Sequence, residues 1–280
     1  MTTPTPAEDR SETAEVAALE ARGLGHSYGA REVLGRIDFR VARGEFVCIV
    51  GPSGVGKTTL LRCLAGLQRS TAGELLVLGT VVSEPQPGVA VVFQDYSRSL
   101  MPWSSVLHNV TLPLRANGVR SAEADARARQ ALVQVGLSPN VADLYPWQLS
   151  GGMQQRVAIA RALAYEPTVL LMDEPFASVD AQTRADLEDL VLRLQRELSL
   201  TVLLVTHDID EAVYLSDRVV ALSGSPASVA EIVDVRLGPV RDQIETKSTP
   251  EFATLRAHVH GLVRHAASGG AAPGGAAPAA

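Results

Sequence analysis

Short apolar runs alternate with amphipathic stretches along this chain. Phe46 to Val50, Val89 to Phe93, Val169 to Met172, Val202 to Val205 and Val219 to Leu222 are almost uninterrupted. Runs this short, with no polar alternation, suit strands buried on both faces, as in a parallel sheet. From Lys57 to Leu67, the leucines at 60, 61, 64 and 67 recur at helical spacing. Strands alternating with helices predict an α/β core with right-handed crossovers. Two regions depart from that pattern. Leu19 to Arg43 alternates apolar and polar positions between turn residues, which predicts antiparallel strands. Asp95 to about Glu166 carries helical stretches, including Ala122 to Val135 and Gln154 to Tyr165, and few strand signals. It reads as a helical insertion between two core strands.

Composition narrows the picture. The chain has 280 residues, 46% hydrophobic and 20% charged, enough for one large domain. Residues 17–265 are taken as that domain, with the helical subdomain at about 95–166 inserted. Residues 1–16 and the Ala/Gly/Pro-rich 266–280 read as disordered tails with no means of packing a core. A formal net charge of -6 argues against a nucleic-acid-binding surface. The N-terminal stretch lacks the apolar segment of a signal peptide. No apolar run approaches the roughly 18 residues of a membrane span. A cytoplasmic protein is expected, with any membrane role supplied by a partner. Cys48 and Cys63 both fall in apolar or helical runs, so buried free thiols are expected, and no spacing suggests zinc.

The chemistry gathers at strand ends. "GPSGVGKTT", from Gly51 through Pro52, Ser53, Gly54, Val55, Gly56, Lys57 and Thr58 to Thr59, fits G-x-x-x-x-G-K-S/T between an apolar strand and an amphipathic helix. Its glycines let backbone N–H groups curl around phosphates. Lys57 places a charge on the β- and γ-phosphates, and the Thr58 hydroxyl suits Mg²⁺. "VLLMDEP" is an apolar strand delivering Asp173, a candidate Mg²⁺ partner, and Glu174, a candidate general base. Gln94 ends another strand, where its amide reaches Mg²⁺ or water. His207 ends a third, placed to donate to the γ-phosphate or to serve a structural role. A second anion-type site is spelled by "LSGGMQQR": Ser150, Gly151 and Gly152 open a helix whose first N–H groups are free.

In this order, the motifs resemble those of the nucleotide-binding subunit of an ATP-binding-cassette (ABC) transporter. The resemblance covers roughly Leu19 to Val263. It implies a P-loop NTPase core with a mainly parallel sheet, an N-terminal antiparallel β subdomain and an inserted helical subdomain. It also implies ATP and Mg²⁺ as ligands. "LSGGMQQR" is similar to the family's signature motif, "SVD" ending at Asp180 to its D-loop, and His207 to its switch histidine. Tyr28 falls where the family stacks a ring on adenine. The resemblance accounts for two anion sites in one chain: two copies pack head to tail, and the Ser150–Gly152 turn completes the partner's nucleotide site. Integral permease subunits and, through them, a solute-binding protein are the further partners implied, at the cytoplasmic face of the membrane.

DNA-repair and chromosome-type ATPases share this dimer, but Asp95 to Leu149 is short, without heptads or cysteine. A two-chain exporter is the other alternative. "LMPWSSVLHNV", "EPFASVDAQTR", "THDIDEAVYLSDRVV" and "RDQIETKSTPEF" resemble the nitrate/sulfonate/taurine importer group. Trp147 stands where that group often has His. Ser97 to Val106 is the candidate permease contact, with a packed loop as its plainer reading.

Overall fold

The computed structural model describes residues 16–95 and 99–267. Most of both tails, and Ser97 and Arg98 of the expected permease contact, lie outside the described residues.

β1 (Leu19–Tyr28) and β2 (Arg31–Val41) form an antiparallel hairpin. β3 (Phe46–Val50) leads through the glycine loop into α1 (Lys57–Leu64). The chain then returns as β4 (Ala72–Val77) and β5 (Thr80–Val81) to complete an antiparallel sheet of order β2-β1-β4-β5. β6 (Val89–Val92) enters the main sheet. After it come α2 (Val106–Ala116), α3 (Ser121–Gln134) and α4 (Gly151–Ala164), which pack on one another as the inserted helical subdomain. The core resumes with β7 (Val169–Asp173), α5 (Ala181–Glu197), β8 (Thr201–Val205), α6 (Ile209–Leu215), β9 (Arg218–Ser223), β10 (Ser228–Asp234) and α7 (Pro250–Ala267).

The main sheet has the order β10-β9-β3-β8-β7-β6, parallel except for β10. The apolar runs are continuous because each face of this sheet has its own core. Val47 and Ile49 pack toward the antiparallel sheet and α1. Phe46, Cys48 and Val50 pack on the opposite face, toward helices that include α4, α5 and α6. Cys48 and Cys63 therefore sit in different cores, both buried and free. Because β3, β6, β7 and β8 run in parallel, their carboxyl ends, and whatever follows each, share one edge of the sheet.

Two expected boundaries shift. The helix expected over Lys57–Leu67 ends at Leu64: Gly66 turns back at φ +68, and Leu67 is exposed rather than part of the core. The C-terminal tail was expected to begin at 266, yet α7 continues to Ala267, since alanines extend an existing helix readily.

Candidate nucleotide site

β3 delivers the loop, and the loop is shaped by glycine where nothing else fits. Gly56 has φ +115, and a Cβ there would stand 3.0 Å from Leu34 Cδ2. It caps α1 without any side-chain acceptor, so the first N–H groups of the helix remain available to an anion. Ser53, Gly54, Gly56, Lys57, Thr58 and Thr59 line a cleft of about 510 Å³ whose other walls are Tyr28, Arg31, Val33 and Glu174. Gly51, Pro52 and Val55 of the loop are not among the lining residues, and Val55 is packed in the core.

Lys57 is buried, and its Nζ donates to the carbonyls of Gly51 at 2.9 Å and Pro52 at 3.2 Å. Desolvation lowers its pKa, against the pull of Glu174 and Asp173. A cation held this way, inside a ring of N–H donors, is matched to a polyphosphate.

Tyr28 stands at the mouth, half exposed. Its hydroxyl donates to Gln68 Oε1 at 2.9 Å, and its ring meets the edge of His26 at 4.6 Å between centroids. It is a fixed aromatic platform rather than a loose surface ring.

Asp173 ends β7 and is buried. The Thr58 hydroxyl donates to its Oδ1 at 3.4 Å. Burial raises the Asp173 pKa, while Thr58 and the nearby cations lower it. A hydroxyl and one carboxylate side by side under a phosphate cradle are the hard oxygen set that Mg²⁺ takes when phosphates and water complete its shell. No cluster of three metal-ligating side chains occurs among the described residues, so a dedicated protein cage is not what this donor set offers.

Glu174 is the next residue, and its backbone is unusual. It has φ +42, a region rarely used by a residue with a side chain. Its N–H donates to Val205 O at 2.8 Å, which locks the turn to β8. The carboxylate receives two donors, Gln94 Nε2 at 3.3 Å and His207 Nδ1 at 2.9 Å. The ends of β6, β7 and β8 thus meet at one carboxylate.

Ser150, Gly151, Gly152 and Asp180 do not line this cleft. Ser150 caps α4, its Oγ accepting from Met153 N at 3.3 Å. Asp180 caps α5, accepting from Thr183 N at 3.0 Å and Thr183 Oγ1 at 2.7 Å. The two caps are neighbours: a Cβ on Gly152 would lie 2.4 Å from Thr183 Cγ2. The cleft therefore contains one anion cradle, and the second is presented elsewhere on the chain.

These placements accompany a match to the ABC transporter family over residues 34–177, just over half of the chain. The chain belongs to that family. The ABC subunit is 47% identical over 226 residues to an aliphatic sulfonates import ATP-binding protein of Xanthomonas axonopodis, covering 80% of this chain and 88% of that one. It is 39% identical over 263 residues to the bicarbonate transport ATP-binding protein of a Synechocystis species, covering 91% of each. A dimeric ATP-binding cassette solved in a post-hydrolysis state with ADP and Pi superposes with a TM-score of 0.69 at 32% identity, covering 78% of this chain and 99% of that one. The ABC subunit is accordingly an ATP-binding, ATP-hydrolysing cassette of a transporter.

Some neighbours of the site were not read from sequence. Arg31 and Val33 line the cleft because the β1–β2 hairpin pairs Tyr28 with Arg31. The pattern over Leu19 to Arg43 implied antiparallel strands but not which side chains face the phosphate loop. Trp103 is 76% exposed, against the packed-loop reading, and Trp147 is 70% exposed and stacked on Tyr145.

Proposed function

We propose that two copies of this chain close head to tail on two ATP molecules and drive import of a small anion, with sulfonate, nitrate, taurine and bicarbonate as the class. The observation that carries the reading is the division of parts. The cleft holds a phosphate loop, a base and a metal-type pair, while the Ser150 turn does not line it. Ser150 and the Gly151 and Gly152 amides then cap the γ-phosphate bound by the partner.

The roles follow from the chemistry of each group. Tyr28 stacks on the adenine. The loop N–H groups and Lys57 hold the phosphates. Thr58 and Asp173 would hold Mg²⁺, with Gln94, bonded to the adjacent Glu174, as a further candidate. A metal held there would supply charge neutralisation to the phosphates. Glu174 takes a proton from water as the water oxygen attacks phosphorus, and the bond from phosphorus to the β–γ bridging oxygen breaks. Gln94 and His207 aim the Glu174 carboxylate, and His207 Nε2 is the nitrogen left for the γ-phosphate. Lys57 meets the charge that develops on the departing ADP. Asp180, at the start of α5, belongs to the surface between the two copies.

No described helix is long and apolar enough to cross a membrane. The subunit is thus read as peripheral, on the cytoplasmic face, with Met101 to Val106 among its permease contacts and a solute-binding protein acting through the permease. Nucleic acid is not among its partners.

Glu174→Gln tests the core of this reading. The variant should bind ATP with near-parental affinity, lose most turnover, and accumulate as an ATP-bound dimer on size exclusion. Near-normal hydrolysis would remove Glu174 as the base.

A further inference from the structure

The turn carrying His207 is held from behind by a buried polar cluster that the chemistry above leaves unused. Thr206 and Glu211 are both buried. Thr206 Oγ1 donates to Glu211 Oε2 at 3.2 Å and accepts from Asp208 N at 3.0 Å. Asp208 caps α6, its Oδ1 accepting from Glu211 N at 3.1 Å. The remaining oxygen of Asp208 accepts from Arg184 Nη1 at 3.4 Å. His207 therefore sits between two residues whose side chains are fixed, one of them by a guanidinium from α5.

Arg184 belongs to the first turn of α5, its N–H bonded to Asp180 O at 2.9 Å. The preceding residue, Thr183, is the one against Gly152. The same helical turn thus touches the His207 turn with Arg184 and the Ser150–Gly152 turn with the residue before it. Glu188, farther along α5, is satisfied from the other side by Lys247 Nζ at 3.3 Å and Gln243 Nε2 at 3.0 Å. Arg184 is left to face Asp208 and Glu211.

Two atoms in the cluster are buried without a hydrogen-bond partner: Arg184 Nε and Glu211 Oε1. One is a donor and the other an acceptor, on groups close enough for the Arg184 charge to act on Glu211. Leaving a buried polar atom without a partner is costly, so both groups depend on the contacts that Arg184 and Glu211 do make to Asp208 and Thr206.

We propose that Arg184 is a positioning residue shared by two half-sites. It fixes the loop that aims His207 at this chain's own nucleotide. Through its place beside Thr183 on α5, it ties that loop to the turn that caps the partner's nucleotide. The inference rests on the head-to-tail reading above.

The test compares Arg184→Met, Arg184→Lys and Asp208→Asn in the full chain. Arg184→Met should lower kcat about tenfold or more, as expected when a catalytic group is slightly misplaced, while KM for ATP stays within about twofold. Arg184→Lys keeps the charge but offers one point of contact, so it should recover part of the loss. Asp208→Asn keeps the helix cap and should match Arg184→Met, and the double variant should be no worse than either single one. Placed in the Glu174→Gln background, Arg184→Met should weaken the ATP-dependent dimer on size exclusion, a readout that helix packing alone would not move. An unchanged kcat in Arg184→Met, or a rise in KM at unchanged kcat, would overturn the proposal. If Arg184→Met does not fold, Asp208→Asn reads the same contact, and parental kcat there overturns it as well. Loss of turnover in Glu174→Gln alongside a normal Arg184→Met would sink this inference alone. Normal turnover in Glu174→Gln would sink the reading beneath it.

Discussion

Gly152→Ala puts a methyl group where Thr183 already stands. The added Cβ would lie 2.4 Å from Thr183 Cγ2, well inside contact distance. Thr183 cannot easily turn away, because it is stiff at χ1 and its Oγ1 is bonded to Asp180 at 2.7 Å. Overpacking of this kind costs about 1–3 kcal/mol. Alanine in place of glycine in a helix returns up to about 1 kcal/mol, and less in the first turn. The net expectation is a loss of about 0.5–2 kcal/mol, which is a few degrees in Tm for a chain of this size. Thr183→Ser removes the offending methyl and keeps the hydroxyl. The nearest atoms to the new Cβ then become Thr183 Cβ at 3.7 Å and Oγ1 at 3.8 Å, both ordinary contacts. In that background Gly152→Ala should be neutral or stabilising. Thermal unfolding of the four proteins reads the cycle, with an expected coupling of about 1–3 kcal/mol. Equal destabilisation by Gly152→Ala in both backgrounds would refute the contact, and with it the link between the two caps.

Two further outcomes follow from side chains elsewhere. Burial, with Glu188 and Asp208 nearby, pushes Glu211 up to about 8 from 4.5. The folded state then holds a proton that the unfolded chain has released, so this group's contribution falls as pH rises from 4.5 to about 8. In unfolding measurements Glu211→Gln should therefore be more stable than the parent at pH 8, by on the order of a few kcal/mol, with the difference nearly gone below pH 5; an equal difference at both pH values contradicts the assignment. Trp103→Arg changes a ring that is 76% exposed and outside the nucleotide cleft. Hydrolysis by the isolated subunit should stay within about twofold of the parent while co-purification with the permease is lost, and unaltered co-purification would remove Trp103 from that contact.

Much of this arrangement is legible in the residues. Phe46–Val50 reads as a doubly buried strand because its odd and even positions feed two separate cores. The phosphate loop, Gln94, Glu174 and His207 each follow a strand end, and parallel strands bring those ends together. What escaped notice depends on pairing across distance. β4 joins β1 from beyond α1, which no local pattern announces. α5 is rich in charge, and α2 contains Pro113, so their periodicity is obscured. β10 is a half-exposed edge strand, and α7 is interrupted by Gly261 and several histidines. Arg184 and Asp208 are distant in sequence, and only the packing of α5 on α6 makes them neighbours.

The central claim is that each nucleotide site is completed by the other copy's Ser150 turn. Mixing Lys57→Ala chains with Ser150→Arg chains tests it most directly. Each variant alone forms only damaged sites, whereas a mixed pair has one site with both lesions and one site with neither. ATPase activity should return on mixing, and absence of recovery in mixtures shown to contain heterodimers would contradict the account.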